Sequence, residues 1–249
     1  MADDDSSSDD EPIIAEEEYE PNNPVATFTV SGGVNGRFRV EILLDRVPRT
    51  ASNFIDLATR GFYDGMHIHR VMDEFMFIFG CEYSRDPHSS QCGQGGSPNV
   101  PFLNYKTGAR EKRFTEGGTP GCIEDEFVSR DSNLEGTLTA ANFSQGGKEN
   151  TGGPQLFINV VDNPAFDWFD ERAPSRHPVF GRVFEGWDVC LAISKVQTGK
   201  PPERKDAVLG EEVGMTGAEA NPVVPIKVES VTMSGVPTRG QEDGQEDEL

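Results

Sequence analysis

Short β-type runs separated by glycine-rich connections are the feature that most restricts the fold of this chain. Residues 27–30 are β-branched and aromatic, and residues 38–42 alternate apolar and polar side chains with a period of two. The connection at residues 32–36 contains three glycines and Asn35. These features predict a hairpin with one buried face.

The same pattern of short apolar runs continues along the chain. Further strands are predicted within residues 66–79, 136–141, 156–161, 179–184 and 223–233. Two segments show helical spacing instead, the first after Pro48 and the second from Trp187 to Ser194. Many short strands with two helices predict a mainly β domain, an antiparallel barrel capped by helices.

Both ends of the chain are strongly acidic. The first twenty residues hold ten acidic side chains and no Lys or Arg, and the net charge of the chain is −21. Clustered like charges repel and leave little to bury, so residues 1–24 and 236–249 are predicted to be disordered tails. They flank a folded domain at residues 25–235, with long insertions near 93–121 and 199–221. A docking role of the tails for basic partners is the alternative.

Charge and cysteine usage exclude several classes of function. No basic patch is available for nucleic acid, and no apolar stretch is long enough to span a membrane. With no signal-peptide pattern at Met1, we expect a cytoplasmic or nuclear protein, and the terminal Glu-Asp-Glu-Leu is interpreted as chance acidity. The four cysteines show no CxxC spacing and are expected to be free thiols. A metal site from Cys81, His88 and Cys92 is a minor alternative.

Five motifs follow one another along the chain. They are Pro-Arg-Thr-Ala-Ser-Asn-Phe at 48–54, Phe-Tyr-Asp-Gly-Met-His-Ile-His-Arg-Val at 62–71 followed by Phe75-Met76, Leu-Thr-Ala-Ala-Asn at 138–142, Asn-Thr-Gly-Gly-Pro-Gln-Leu-Phe-Ile at 150–158, and His-Pro-Val-Phe-Gly-Arg-Val at 177–183. Together, and in this order, they resemble the cyclophilin family of peptidyl-prolyl cis/trans isomerases. The resemblance covers residues 25–235. It implies a closed, eight-stranded antiparallel β-barrel capped by two α-helices.

The resemblance also implies a reaction that breaks no covalent bond. Rotation about an X-Pro peptide bond has a barrier of about 18–20 kcal/mol, because amide resonance must be lost. The enzyme must therefore bind the twisted amide better than either planar isomer, which requires no cofactor and no metal. The family role of a donor to the proline nitrogen corresponds to Arg70, whose guanidinium stays charged at physiological pH. A surface arginine on a strand is the alternative.

The remaining site residues follow from the matched motifs. The resemblance implies a catalytic set of Arg70, Phe75, Gln155, Phe157 and His177, and a substrate-binding set of Met76, Ala141, Asn142, Trp168 and Phe169. Aromatic and thioether surfaces suit a proline ring, although each such residue is equally suited to an ordinary core. We expect His177 to be a wall of the pocket, since the rotation transfers no proton; a general base is the alternative. The main chain at 141–142 is expected to pair with the substrate.

One position departs from the family pattern. Ile78 stands where the family has a glutamine that forms hydrogen bonds near the arginine. Loss of one such bond costs on the order of 1–2 kcal/mol, or roughly tenfold in rate, so a weaker enzyme is predicted. A binding module that docks proline-containing partners without catalysis is the competing interpretation. A metal-dependent hydrolase built on His67 and His69 is a third, without a convincing third ligand.

The expected partners are proline-containing segments of client proteins. Cyclosporin is a further candidate ligand, because Trp168 resembles the family tryptophan associated with it; Trp168 as a buried loop anchor is the alternative. We expect a monomer that binds neither nucleic acid nor membrane.

Overall fold

Eight strands form one curled antiparallel sheet in the computed structural model, which describes residues 22–114, 121–142, 148–199 and 220–238. The strands and helices are β1 (Val25–Gly32), β2 (Gly36–Ile42), α1 (Pro48–Thr59), β3 (Arg70–Met72), β4 (Met76–Phe79), β5 (Phe102–Leu103), β6 (Arg110–Glu111), β7 (Thr137–Ala140), β8 (Leu156–Asn159), β9 (Val179–Glu185), α2 (Trp187–Ser194), β10 (Thr198–Gly199), β11 (Asn221–Pro222) and β12 (Ile226–Ser234). The strand order is β12-β1-β2-β9-β7-β8-β4-β3, and β5-β6 and β10-β11 form separate pairs. The prediction of a mainly β domain with two helices is confirmed.

The predicted closure of the barrel is wrong, because the sheet is open between β12 and β3. The chain just before β3 crosses the gap, where the Ile68 N–H donates to the Ile226 carbonyl at 2.9 Å and the Val228 N–H donates to the Met66 carbonyl at 2.7 Å. These bonds surround one isolated bridge, between His67 and Lys227, and do not extend into a ladder. The reason is that β3 is only three residues long and pairs with β4 on one side, while its Val71 N–H donates to the Ala220 carbonyl at 2.7 Å and not to β12.

Aromatic side chains fill the main core between the sheet and α1. The predicted hairpin is present as β1 and β2, with Phe28 opposite Phe38 and their rings stacked at 4.7 Å. Pro48 occupies the first turn of α1, as expected, and its fixed φ angle suits that position. The helix presents Phe54 to this core, 5.6 Å from the ring of Phe180. Burial of these large rings holds the helix against the sheet.

A buried arginine fixes the first insertion to α1. The Arg113 guanidinium donates to the Asn53 side chain at 2.7 Å, to the Asp56 carboxylate at 2.8 Å and to the Val100 carbonyl at 2.8 Å. It also lies over the ring of Phe102, 4.7 Å from the ring centroid. Each of the three guanidinium nitrogens therefore has an acceptor, which offsets the cost of burying the charge.

The predicted tails and insertions lie partly outside the described residues. These parts are residues 1–21 and 239–249 of the tails, and residues 115–120 and 200–219 of the insertions. Across the part of the chain that is described, no helix is long and apolar enough to cross a membrane.

Removal of the buried arginine is expected to destabilise the fold strongly. Arg113→Ala leaves the carboxylate of Asp56 buried without its main partner, so the free energy of unfolding should fall by about 3–5 kcal/mol. Arg60→Ala is the matched control, since Arg60 pairs with the same carboxylate at 2.9 Å but its side chain is 58% exposed. The Arg60→Ala change should lower the free energy of unfolding by less than about 0.5 kcal/mol. Urea unfolding of both variants measures the difference, and equal effects would contradict this role of Arg113.

Candidate functional site

Four neighbouring strands place the predicted arginine and phenylalanine on one face of the sheet. Across β3, β4, β8 and β7 the directly paired residues are Arg70, Ile78, Phe157 and Thr139. Directly paired residues point to the same face, while their chain neighbours point to the other. The adjacent row of Val71, Phe77, Ile158 and Leu138 accordingly belongs to the main core. Arg70 lies two strands from Phe157, about 10 Å at the usual strand spacing.

A second apolar cluster, separate from the main core, covers this face; we call it the pocket cluster. Its buried members are Met76, Ile78, Ala141, Phe157 and Phe166, with Met72 and Phe75 packed against them at partial exposure. The ring of Phe157 lies 5.3 Å from His177 and 5.8 Å from Phe166, in edge-to-face contacts. Arg70, in the same row as Phe157, is only 3% exposed. The structure therefore brings a buried cation close to a compact aromatic cluster.

Two residues predicted for the same pocket lie elsewhere. Trp168 stacks on Phe127 at 5.6 Å and donates its indole N–H to the Ser129 carbonyl at 2.7 Å. Phe169 contacts Trp168 at 5.7 Å, and the guanidinium of Arg130 lies over its ring. Trp168, Phe169 and Phe127 therefore form a separate, half-buried aromatic group. Trp168 and Phe169 are close to the pocket cluster in sequence but are not part of it.

Phe166 joins the cluster without having been predicted from the sequence. It ends a short 3-10 turn, Pro164–Phe166, that directs its ring back onto β8. The available signal was the Asn163-Pro164 dipeptide, which marks a turn. A turn at that point brings the aromatic residue directly after it to the sheet and leaves the later Trp168 and Phe169 on the loop.

His177 is fully buried and both of its ring nitrogens are engaged. Nδ1 lies 3.1 Å from the Ala140 carbonyl and Nε2 lies 3.1 Å from the Ser175 hydroxyl. A carbonyl can only accept, so Nδ1 carries the proton and Nε2 accepts from the serine. Burial lowers the pKa of His177 to about 4, although the bond to Ala140 opposes the shift. The imidazole is therefore neutral at physiological pH.

Gln155 connects the site to the first insertion. Its side-chain amide donates to the carbonyls of Gly93 at 2.9 Å and Gly95 at 3.0 Å. The N–H groups of the same two glycines donate to the sulfur of Cys81 at 3.1 and 3.2 Å. Within the described residues, the buried Oε1 of Gln155 has no hydrogen-bond partner. The insertion thus holds one end of the carboxamide and leaves an acceptor beside the site.

The two other predicted binding residues lie at the end of β7. The Ala141 N–H donates to the Gln155 carbonyl at 3.0 Å, and Ala141 itself is part of the pocket cluster. The Asn142 side chain donates to the Arg176 carbonyl at 2.6 Å, just before His177. Both residues therefore border the pocket cluster on the side of the histidine.

A buried network of asparagines, which sequence reasoning missed, supports the cluster. The Asn163 amide donates to the Phe75 carbonyl at 3.1 Å and to the Asn159 side chain at 2.8 Å. The Asn159 amide donates to Asn133 at 3.3 Å, and the Asn133 amide donates in turn to the His177 carbonyl at 3.3 Å. Hydrogen bonds thus link opposite walls of the cluster. Asn159 at the end of an apolar strand was the available signal, since a buried amide needs partners.

The alternative metal sites gain no support from the geometry. Across the described ranges, no group of three or more His, Cys, Asp or Glu side chains is arranged to hold a metal ion. The sulfur of Cys92 lies 3.6 Å from the Asp86 carbonyl, and His67 contacts the Ser84 carbonyl at 2.8 Å. All four cysteines are buried thiols that form no disulfide.

Comparison with known proteins decides the family. The profile of the cyclophilin type peptidyl-prolyl cis-trans isomerase/CLD family matches residues 25–213. The chain belongs to the cyclophilin family. This cyclophilin is 32% identical over 163 residues to a peptidyl-prolyl cis-trans isomerase-like 1 protein of Rhizopus delemar, covering 66% of this chain and 77% of the relative. It is 30% identical over 164 residues to a peptidyl-prolyl cis-trans isomerase of Arabidopsis thaliana, with the same two coverages.

Solved structures support the same fold. A cyclophilin type peptidyl-prolyl cis-trans isomerase of Cryptosporidium parvum superposes with a TM-score of 0.58 at 16% identity, covering 86% of this cyclophilin and 98% of that chain. A second structure of that protein, obtained in the presence of the dipeptide Ala-Pro, gives a TM-score of 0.57, also at 16% identity, with coverages of 85% and 99%. At this identity the likeness establishes the fold.

Acid is expected to destabilise this cyclophilin through His177. The folded pKa of about 4 lies below the ordinary value of 6.5, so the unfolded chain binds more protons between these two pH values. Stability contributed by the neutral imidazole is complete above pH 6.5 and is lost as pH falls towards 4, by up to about 3 kcal/mol at about 1.36 kcal/mol per pKa unit. Urea unfolding at several pH values should show a shallower slope for His177→Gln than for the wild type.

His88→Gln serves as the control, because the His88 side chain is exposed. Its slope should match that of the wild type. If His177→Gln also keeps the wild-type slope, the buried imidazole does not titrate as described.

Proposed function

We propose that this cyclophilin catalyses cis/trans rotation about X-Pro bonds of protein substrates and thereby assists folding. The observation that carries the proposal is the placement of a buried guanidinium, Arg70, in the same sheet row as Phe157 and beside the pocket cluster. A charged donor and an apolar surface are the two elements that a twisted prolyl amide requires.

Arg70 supplies the stabilisation of the twisted state. As the C–N bond rotates, the proline nitrogen becomes pyramidal and gains a lone pair that a planar amide does not offer. A guanidinium aimed at that lone pair binds the twisted form more strongly than either ground state, which lowers the barrier. Burial strengthens the effect, because charge interactions are screened less away from water.

The surrounding residues hold the rest of the peptide. Phe75 and Phe157 provide apolar surface for the proline ring, together with Met76 and the neutral edge of His177. The Oε1 atom of Gln155 is an acceptor for an N–H group of the bound peptide. Backbone groups at 141–142 border the same surface and pair with the substrate main chain.

The half-buried pair of Trp168 and Phe169 is proposed to contact residues beyond the proline. Cyclosporin remains a proposed ligand through Trp168, and quenching of indole fluorescence on titration would test it. We further propose a monomeric protein of the cytoplasm or nucleus. The location is supported by the four cysteines of the described chain, which are thiols and not disulfides, as expected in a reducing compartment.

Ile78 is proposed to limit the rate. It is the direct cross-strand partner of Arg70 and is itself a buried member of the pocket cluster. An isoleucine cannot accept a hydrogen bond from the guanidinium or donate one to the substrate. The orientation of Arg70 therefore lacks support from this position, which weakens catalysis without removing the donor.

The proposal is tested with a peptide isomerisation assay on an X-Pro tetrapeptide. The wild type should accelerate cis-to-trans conversion, and Arg70→Ala should lower kcat/KM on the order of 10²–10³-fold, as expected for loss of one transition-state donor. Arg37→Ala, which removes an exposed arginine on β2, should leave the rate unchanged. An equally active Arg70→Ala would contradict the proposal.

A second substitution tests the role of Ile78. Ile78→Gln should raise kcat/KM roughly tenfold, because one supporting hydrogen bond is worth about 1–1.5 kcal/mol. Ile78→Leu, of the same volume and polarity, should match the wild type. If kcat/KM of Ile78→Gln is no higher than that of Ile78→Leu, Ile78 is not the cause of weak activity.

A non-catalytic binding module is the second candidate function. It is favoured by Ile78, whose apolar side chain stands directly across from Arg70 and cannot orient the guanidinium by a hydrogen bond. It uses the same groove to hold a proline-containing partner. Wild-type protein that binds X-Pro peptides in a titration but leaves their isomerisation rate unchanged would select this candidate over the enzyme.

A further inference from the structure

The pocket cluster contains no space for a proline ring between its aromatic members. Phe157, Phe166 and His177 form a closed triangle, with ring centroids 5.2–5.8 Å apart and edge-to-face geometry on all three sides. At these separations the rings are in direct contact. A ring placed between two others would need contacts of about 3.5–4.0 Å on each side, and thus a centroid separation of about 7 Å or more.

Access from outside the triangle is also restricted. Phe157 and His177 are 0% exposed and Phe166 is 1% exposed. Phe75 and Met72 form the partly exposed rim, and the Phe166 ring lies 5.6 Å from Phe75. The ring of Phe166 therefore lies between the rim and the two deepest rings of the cluster.

We propose that Phe166 is a gate that fills the prolyl pocket, and that an X-Pro segment binds only after this ring swings out. The inference rests on the proposed function of the pocket. It adds a step that precedes binding: the closed form predominates, and the peptide selects a minor open form.

Phe166 is the ring of the triangle with the least support. Phe157 belongs to β8, which is paired on both sides by β4 and β7. The imidazole of His177 is held through both nitrogens. Phe166 follows the exposed Pro164 and Ala165 in a single 3-10 turn. Apart from packing, it is held in place through hydrogen bonds of its backbone.

The backbone of Phe166 is fixed, so the motion is that of the side chain. Its N–H donates to the Asn163 carbonyl and its own carbonyl accepts from the His177 N–H, both at 3.0 Å. Asn163 is in turn anchored to the Phe75 carbonyl. A change of rotamer moves the ring towards the exposed side of the turn without breaking these bonds.

Gating reduces the apparent affinity by the fraction of molecules that are open. If about one molecule in ten is open, removal of the ring should tighten binding on the order of tenfold. We would titrate the dipeptide Ala-Pro and an X-Pro tetrapeptide into labelled protein by NMR, and measure kcat/KM for the tetrapeptide. The variants are Phe166→Ala and Phe166→Leu. Phe184→Ala, a half-buried ring on β9 outside the pocket cluster, is the control.

We expect both Phe166 variants to bind the peptides more tightly and to raise kcat/KM, with the control unchanged. Equal or weaker binding by Phe166→Leu would overturn the gate and make Phe166 an ordinary pocket wall. Circular dichroism identifies any variant that fails to fold. If Phe166→Ala does not fold, the peptide affinity of Phe166→Leu, which keeps most of the apolar volume, tests the gate. Failure of the proposed function is separate: in that case the wild type and Arg70→Ala convert the tetrapeptide equally slowly, whatever Phe166 does.

Discussion

The pairing register of β3, β4, β8 and β7 is the constraint on which the site depends. It places Arg70, Ile78 and Phe157 in one row on the face away from the main core. A slip of one residue would reverse every side chain and exchange this row for the large apolar residues of the core. The core residues Phe77 and Phe79 on β4 make such a slip costly. Packing of the interior thus determines which side chains can carry chemistry.

Segments outside the sheet complete the site and couple it to the fold. The first insertion reaches Gln155 through Gly93 and Gly95 and is held to α1 by Arg113. A buried asparagine network joins the Phe75 and His177 sides of the pocket cluster. Buried polar groups of this kind are stable only when their partners are in place, so they fix positions with little tolerance. The site therefore has a fixed frame, and within the triangle of Phe157, Phe166 and His177 the Phe166 ring has the least support.

Sequence patterns were informative where local chemistry decides the structure. The alternation in residues 38–42 and the helical spacing after Pro48 led to the correct elements. The motifs also indicated Arg70 and Phe157, which share a row of the sheet, and His177, whose ring contacts Phe157. The open sheet was not predictable, because closure depends on how residues 65–69 meet β12, far away in the chain. The contribution of Phe166 was missed because a single turn decides which of several nearby aromatic residues faces the sheet. Trp168 and Phe169, adjacent in sequence, lie on a separate aromatic group.

The central claim is that Arg70 faces a prolyl amide held against the pocket cluster. A crystal structure of this cyclophilin with an X-Pro peptide tests it most directly. The account predicts the proline ring against Phe75 and Phe157, with the guanidinium of Arg70 within hydrogen-bonding distance of the prolyl amide. A peptide bound at another surface, or in the pocket with Arg70 turned away from it, would contradict the account.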